Sequence, residues 1–250
     1  MNRRNIFCFL LILVLGQALS TCARHCHPKR LRKEKNLELP KPTQSDIVIQ
    51  HSAYTVSYNP QTLIANWVAY ELTADEIDGP WSRKGLSFMP DPDYDGAQAD
   101  HADYKGSGYS RGHLAPAGDM KWDSLAMVES FYFTNCIPQE TKFNNGKWNQ
   151  LEEKTRRWAK QFGKVYVVCG PVFLGDDTLR IGHNGVAVPD ACFKALLAPQ
   201  DESYVAIAFL MQNGGEERSL MDCACSVDEL ESVLFEAPKI NNCCPQKVKE

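Results

Sequence analysis

No stretch of this 250-residue sequence is apolar for long enough to cross a membrane as a helix, which takes about 20 residues. The longest apolar run, Ile6 to Leu19, is too short for a comfortable helical span. No internal repeat is visible, which excludes a solenoid or propeller. The composition, 44% hydrophobic and 23% charged, lacks the polar bias of a disordered chain and holds enough apolar material for one well-buried domain or two small ones. The body also lacks positive charge. Residues 1–45 carry nine Lys/Arg against two acids, which leaves 18 basic and 29 acidic residues in 46–250, a balance of about −11. A protein that merely held a polyanion through phosphate contacts would show the opposite sign, because counterion release by Lys and Arg supplies most of that affinity. Passive binding is disfavoured, and metal-assisted turnover is not.

What is present begins with a leader. Met1-Asn2-Arg3-Arg4, the apolar run and the small residues Ala18 and Ser20 have the layout of a secretory signal peptide, residues 1–20, cut after Ser20. Leu19-Ser20-Thr21-Cys22 fits a second reading, a bacterial lipoprotein box in which Cys22 carries a lipid that touches the membrane. Both stay open, and both predict export, whether secreted, periplasmic or anchored. Of ten cysteines, Cys8 leaves with the leader; with Cys22 lipidated, eight remain, an even number that could pair completely as disulfides. Residues 21–45 are basic and have no apolar period, which predicts a flexible tether.

Beyond residue 46, Ile47–Tyr58 and Leu63–Leu72 are rich in β-branched and aromatic residues and predict an antiparallel strand pair. Residues 75–110 are rich in Gly, Pro, Asp and Ser and predict a long irregular excursion of the kind that often serves function. Asp123 suits an N-cap for a helix to Phe131, Phe131–Ile137 is a short apolar run, and Lys147–Phe162 has the spacing of an amphipathic helix ending at Gly163. Strands are predicted at Lys164–Gly170, Val186–Leu197 and Tyr204–Met211, and Ser226-Val227-Asp228-Glu229 opens a last helix as a capping box. Without regular alternation of strands and helices, the fold class is α+β.

Hydrolysis of a phosphodiester needs a base for water, a cation at the phosphate oxygens and further positive charge for the transition state. Arg111 and His113 bracket Gly112, and on an extended segment both point to one side. Alone the triplet is weak, since a lone histidine is more often structural than catalytic. Asn144 and Glu152 lie eight residues apart; on one continuous helix they would be about 80° apart around the axis, so an amide oxygen and a carboxylate could approach one hard cation such as magnesium. Asn144 as a helix cap and Glu152 as a surface charge is the plainer reading of the same residues.

Ser110-Arg111-Gly112-His113-Leu114-Ala115-Pro116-Ala117-Gly118-Asp119-Met120 resembles the signature of the DNA/RNA non-specific endonucleases. Phe131 to Gln139, Phe143-Asn144-Asn145-Gly146-Lys147-Trp148 with Leu151-Glu152, Val165 to Phe173, and Val188 to Lys194 follow in that family's order, so the similarity covers roughly residues 47–235. The resemblance implies the ββα-metal (His-Me finger) fold, a central, mainly antiparallel sheet flanked by helices, in a domain of residues 46–250 with a cysteine-rich C-terminal end. It implies His113 as general base, Asn144 as a direct magnesium ligand and Glu152 as a metal-site residue acting through water. Manganese could stand in for magnesium. It further implies Arg111 and Asn135 as supports for phosphate and site geometry, and Arg83 as the transition-state arginine, with DNA and RNA as substrates. The oligomeric state is not legible, a homodimer being one form open to the chain. One departure stands out: Ser110 occupies a position where the family usually has Asp. That departure motivates an alternative, a weak or inactive surface protein of the same fold that binds nucleic acid without cutting it.

Overall fold

The computed structural model describes residues 37–41, 47–175, 177–215 and 218–236, which all fall within one compact unit, Lys35–Glu250. The expected leader, most of the tether, Cys22, Cys26, Cys243 and Cys244 lie outside the described residues.

The apolar stretch after residue 46 breaks at a turn, where His51 N–H bonds to the Tyr54 carbonyl at 2.9 Å. It therefore makes two strands, β1 (Ile47–Gln50) and β2 (Thr55–Asn59), rather than one. β2 pairs antiparallel with β3 (Ile64–Thr73), Thr55 opposite Ala69, as the sequence predicts. In the excursion that follows, α1 (His101–Tyr104) is capped by Asp100, and β4 (Tyr109–His113) comes next. Asp123 caps α2 (Ser124–Glu129), accepting from the N–H groups of Leu125 and Ala126. The predicted apolar run at Phe131–Ile137 is divided: a short turn at Phe133–Asn135 precedes β5 (Cys136–Glu140).

β4 and β5 form their own antiparallel ribbon, with His113 opposite Cys136 and Gly112 opposite Ile137. After β5 come α3 (Thr141–Phe143), a π-turn over Asn144–Trp148, and α4 (Asn149–Phe162), which stops at Gly163 in a left-handed conformation, φ 83°. Ribbon and helix together make the ββα unit. β6 (Lys164–Val172) pairs with β3 on one side and, past the short pair β7 (Arg180–Ile181) and β8 (Val186–Ala187), with β9 (Ala191–Gln200) on the other. β10 (Ser203–Gln212) and β11 (Ala224–Cys225) complete a seven-stranded sheet in the order β1-β2-β3-β6-β9-β10-β11, every pairing antiparallel. α5 (Val227–Glu236) follows, with the predicted Ser226–Glu229 capping box formed.

The alternation of β3 shows how the sheet is covered on both faces. Val68, Tyr70 and Leu72 point into the main core with Trp148, Leu151 and Phe131, whereas Trp67 and Ala69 join Phe193, Ala208 and Leu230 of α5 in a second cluster. Leu39 rests on that second cluster. Among the described residues no helix is long and apolar enough to cross a membrane.

The expected full pairing of cysteines is not what the fold holds. Cys136, Cys169 and Cys192 are fully buried free thiols on β5, β6 and β9, and Cys225 is free as well. These three strands use cysteine as a small apolar core residue. Burial pushes the Cys136 and Cys192 thiols up to about 12 and that of Cys169 to about 11, so they stay protonated.

Gly112 is required by packing. A Cβ there would collide with the Gln139 carboxamide, which is fully buried and can only give way by displacing its neighbours. Gly112→Ala is expected to cost about 1–3 kcal/mol of stability, read as a lower midpoint in urea unfolding with an unchanged slope.

Candidate active site

His113 ends β4 with its ring wedged between Phe88, at 4.6 Å between centroids, and Phe131, edge-on at 4.9 Å. It is 9% exposed, and its Nε2 has no hydrogen-bond partner. Burial among these rings pushes the imidazole down to about 3, and the charge of Arg83 adds to the push. The ring is a neutral proton acceptor throughout the physiological range. Arg83 is held nearby by the other aromatic wall, its guanidinium carbon 5.5 Å from the Phe131 centroid.

Two contacts fix the backbone at this ring. Trp148, at the end of the π-turn, donates from Nε1 to the His113 carbonyl at 3.2 Å. Asn135, fully buried, accepts from Ala115 N–H at 2.8 Å and donates to the carbonyls of Ala115 and Ser130, each at 2.8 Å. Its carboxamide is spent on the chain, which makes it a support of the geometry at this strand end. Arg111 is exposed and, with Arg83, Ser110, Lys105, Tyr109 and His101, lines a cleft of about 630 Å³ that also reaches Phe88 and Phe131, the walls of the His113 ring.

Asn144 begins the π-turn, half-buried, and its carboxamide makes no hydrogen bond among the described residues. One extra residue per turn breaks the continuous-helix geometry from which an angle of about 80° to Glu152 follows. Glu152 lies in the first turn of α4, also without a hydrogen-bond partner. Burial pushes its carboxyl up to about 7, against the pull of Lys194. Two unspent oxygen donors, one of them a carboxylate whose charge is poorly solvated, fit a hard divalent cation. Among the described residues, the groups of three His, Cys, Asp or Glu that converge closely enough to share an ion are others: His51 with Asp91 and Asp93, and Asp100 with Asp103 and His183.

With this geometry in view, comparison with known proteins is decisive. The family model described as DNA/RNA non-specific endonuclease matches residues 33–249. The chain belongs to that family. It is 36% identical over 200 residues to the mitochondrial nuclease EXOG of Mus musculus, covering 74% of this chain and 54% of the relative. It is 37% identical over 194 residues to nuclease C1 of Cunninghamella echinulata var. echinulata, covering 72% and 77%. The chain thus spans about half the length of its mitochondrial EXOG relatives. Among solved structures, the EndoG/EndoGI complex holds a chain that superposes with a TM-score of 0.71 at 29% identity, covering 75% of this chain and 83% of that one. The ββα-metal fold of this endonuclease family is therefore the fold found here.

Several further residues belong to this region beyond those predicted from the sequence. Asp119, 1% exposed, takes Arg156 Nη1 at 2.7 Å and the Tyr70 hydroxyl at 2.9 Å. Arg156 stands four residues after Glu152 on the same face of α4, a spacing that could have flagged it. Lys194, on β9, is completely buried, with its ammonium 4.7 Å from the Trp148 ring centroid and no hydrogen-bond partner. A lysine in an otherwise apolar strand was the available clue. Ser110 bonds to the Thr141 hydroxyl at 2.9 Å, so the position where endonucleases of this family usually carry a carboxylate is engaged with α3.

Two measurements probe this site. His113 is neutral in the folded chain down to about pH 3 but takes a proton below 6.5 once unfolded. The unfolded state therefore binds more protons in this window, and stability falls with pH from about 6.5 toward 3 by up to about 1.4 kcal/mol per unit. His113→Gln is expected to flatten that dependence, measured by urea unfolding in EDTA from pH 4 to pH 7. Arg156→Met strands the Asp119 carboxylate with Tyr70 alone and is expected to cost about 3 kcal/mol in the same assay.

Proposed function

We propose that this chain is a magnesium-dependent, sugar-non-specific endonuclease that hydrolyses phosphodiester bonds in DNA and RNA. The observation that carries the proposal is the unpartnered Nε2 of a neutral, walled-in His113 beside a cleft bearing Arg83 and Arg111. His113 Nε2 takes a proton from the attacking water; because the ring is already neutral, no deprotonation has to precede this step. Arg83, exposed yet seated over Phe131, meets the charge that grows on the phosphate oxygens, with Arg111 in the same cleft. Asn135 and Trp148 hold the strand end so that the imidazole cannot turn away. Asn144 and Glu152 would hold magnesium, with manganese as a substitute, and the ion would supply charge to the non-bridging and leaving oxygens.

The acidic balance of residues 46–250 agrees with a turnover enzyme rather than a tight binder. The leader-like N-terminus supports export, by secretion or through a lipid on Cys22, as part of this reading. Relatives bearing the name EXOG are described as mitochondrial, so peptide mass spectrometry of the mature N-terminus is the check on this part.

Incubation of the purified protein with plasmid and with RNA, in magnesium or EDTA, tests the activity. Both substrates should be cut in magnesium and spared in EDTA, and His113→Ala should lose at least about 10²-fold in rate. Strong gel shifts with no cleavage at any enzyme level would leave a binding role instead.

A further inference from the structure

The turn between β1 and β2 carries an arrangement that the hydrolytic site does not use. His51 is 6% exposed, packed between Tyr54 and Tyr132, and its Nε2 lies 3.1 Å from Asp91 Oδ2. Asp91 has a fully buried side chain and also receives the Thr134 hydroxyl and the Asp93 backbone N–H. Those bonds overcome the cost of burial and hold its carboxyl below the usual range. An ionised Asp91 only accepts, so Nε2 carries the proton that it shares with Asp91.

The other ring nitrogen is the anomaly. Nδ1 is buried and has no hydrogen-bond partner, and it points at Asp93 Oδ2, 3.6 Å away. A lone pair facing a carboxylate oxygen at that distance is repulsive, so the pair calls for a positive charge between them, which either a second ring proton or a metal ion supplies. Two ligand atoms 3.6 Å apart are spanned by one ion about 2.0–2.2 Å from each, at an angle near 120°. A carboxylate behind the imidazole is also the usual backing of a metal-binding histidine, where it fixes tautomer and orientation. Negative charge gathers here: Asp91, Asp93 and Glu129 all act on Tyr54 and Tyr132.

We propose that His51 Nδ1 and Asp93 Oδ2 bind a divalent transition-metal ion of the zinc type, with Asp91 orienting the imidazole and water filling the open positions. Asp93 is 61% exposed, so solvent reaches its side of the pair. The ion would clamp the β1–β2 turn to the 75–110 excursion, a link made otherwise by hydrogen bonds. Imidazole nitrogen beside carboxylate oxygen favours zinc or a neighbouring first-row metal over magnesium. The second convergent group offers no such case: Asp103 is saturated by Asn184 and the Asp100 N–H, and His183 is exposed.

The test uses the full chain, stripped with EDTA and then dialysed against dilute zinc in a large excess of magnesium, which keeps the hard oxygen site occupied. Bound zinc is counted by atomic absorption in the wild type, His51→Gln and Asp93→Asn. Each variant should hold one zinc fewer than the wild type. Zinc should raise the wild-type melting temperature by about 5 °C and leave the variants unmoved. Asp93 is on the surface, so Asp93→Asn reads the site even where His51→Gln fails to fold. Equal zinc content in wild type and Asp93→Asn overturns the proposal. Plasmid cleavage by Asp93→Asn should remain at the wild-type level, so that loss of zinc and loss of nuclease activity are read separately.

Discussion

The carboxamide of Asn135 closes a ring of hydrogen bonds around Ala115, and the placement of the candidate base depends on it. Both polar ends of that side chain bind the Ala115 backbone, while the Asn135 carbonyl takes the Leu114 N–H. The chain leaving β4 is thereby pinned one and two residues after His113, at a point where the β4–β5 ribbon has already run out. An aspartate could accept from Ala115 N–H but could not donate to the two carbonyls, and a leucine could do neither. Each lost partner would leave a buried backbone group unsatisfied, at about 1–3 kcal/mol apiece. The residue belongs with the site through geometry, and no direct contact with a phosphate is required of it.

Around this fixed point the protein accepts an electrostatic cost. His113 is denied a charge by Phe88 and Phe131, and Glu152 is denied a comfortable one by burial. Lys194 is buried with nothing to bond, facing the ring of Trp148. Groups arranged only for folding stability would avoid all three. They fit the proposed site for a metal ion and a phosphate, where unspent donors and acceptors would be the working parts. Asp119, Arg156 and Tyr70, by contrast, satisfy one another and keep this poorly balanced region in one conformation.

Much of the fold was legible because its signals are local. Asp123, Gly163 and the Ser226–Glu229 box bounded helices where caps and stops predict them, and the β2–β3 pairing followed from β-branched runs on either side of a turn. The break at His51–Tyr54 escaped notice because it is made by one backbone bond inside an apolar stretch. The cysteines misled for a related reason: parity and an export signal speak of pairing, whereas core positions on β5, β6 and β9 ask only for small apolar side chains. In the site, the Arg111–His113 triplet gained meaning only through its likeness to a family. Asp119, Tyr70 and Lys194 could not be found from spacing at all, since they reach the site from the short turn at Ala117–Asp119, from β3 and from β9, segments far apart in the chain. Phe88 and Phe131, which set the state of the base, read in sequence as ordinary core aromatics.

The π-turn explains why spacing along a helix was a poor guide to the metal side of the site. A continuous α-helix from Asn144 would fix Glu152 by rotation alone, but the wide turn at Asn144–Trp148 adds a residue and shifts the phase. Its other end is Trp148, whose indole N–H is bonded to the His113 carbonyl and whose face carries Lys194. Trp148 is fully buried, so neither contact can slide. The position of Asn144 is consequently measured from His113, through four residues of a well-anchored turn, and not from the axis of α4. A single inserted or deleted residue between Asn144 and Trp148 would leave α4 and the sheet intact yet move the amide oxygen relative to Nε2. In this ββα unit the helix supplies Glu152, the ribbon supplies His113, and one tryptophan sets the distance between the two halves.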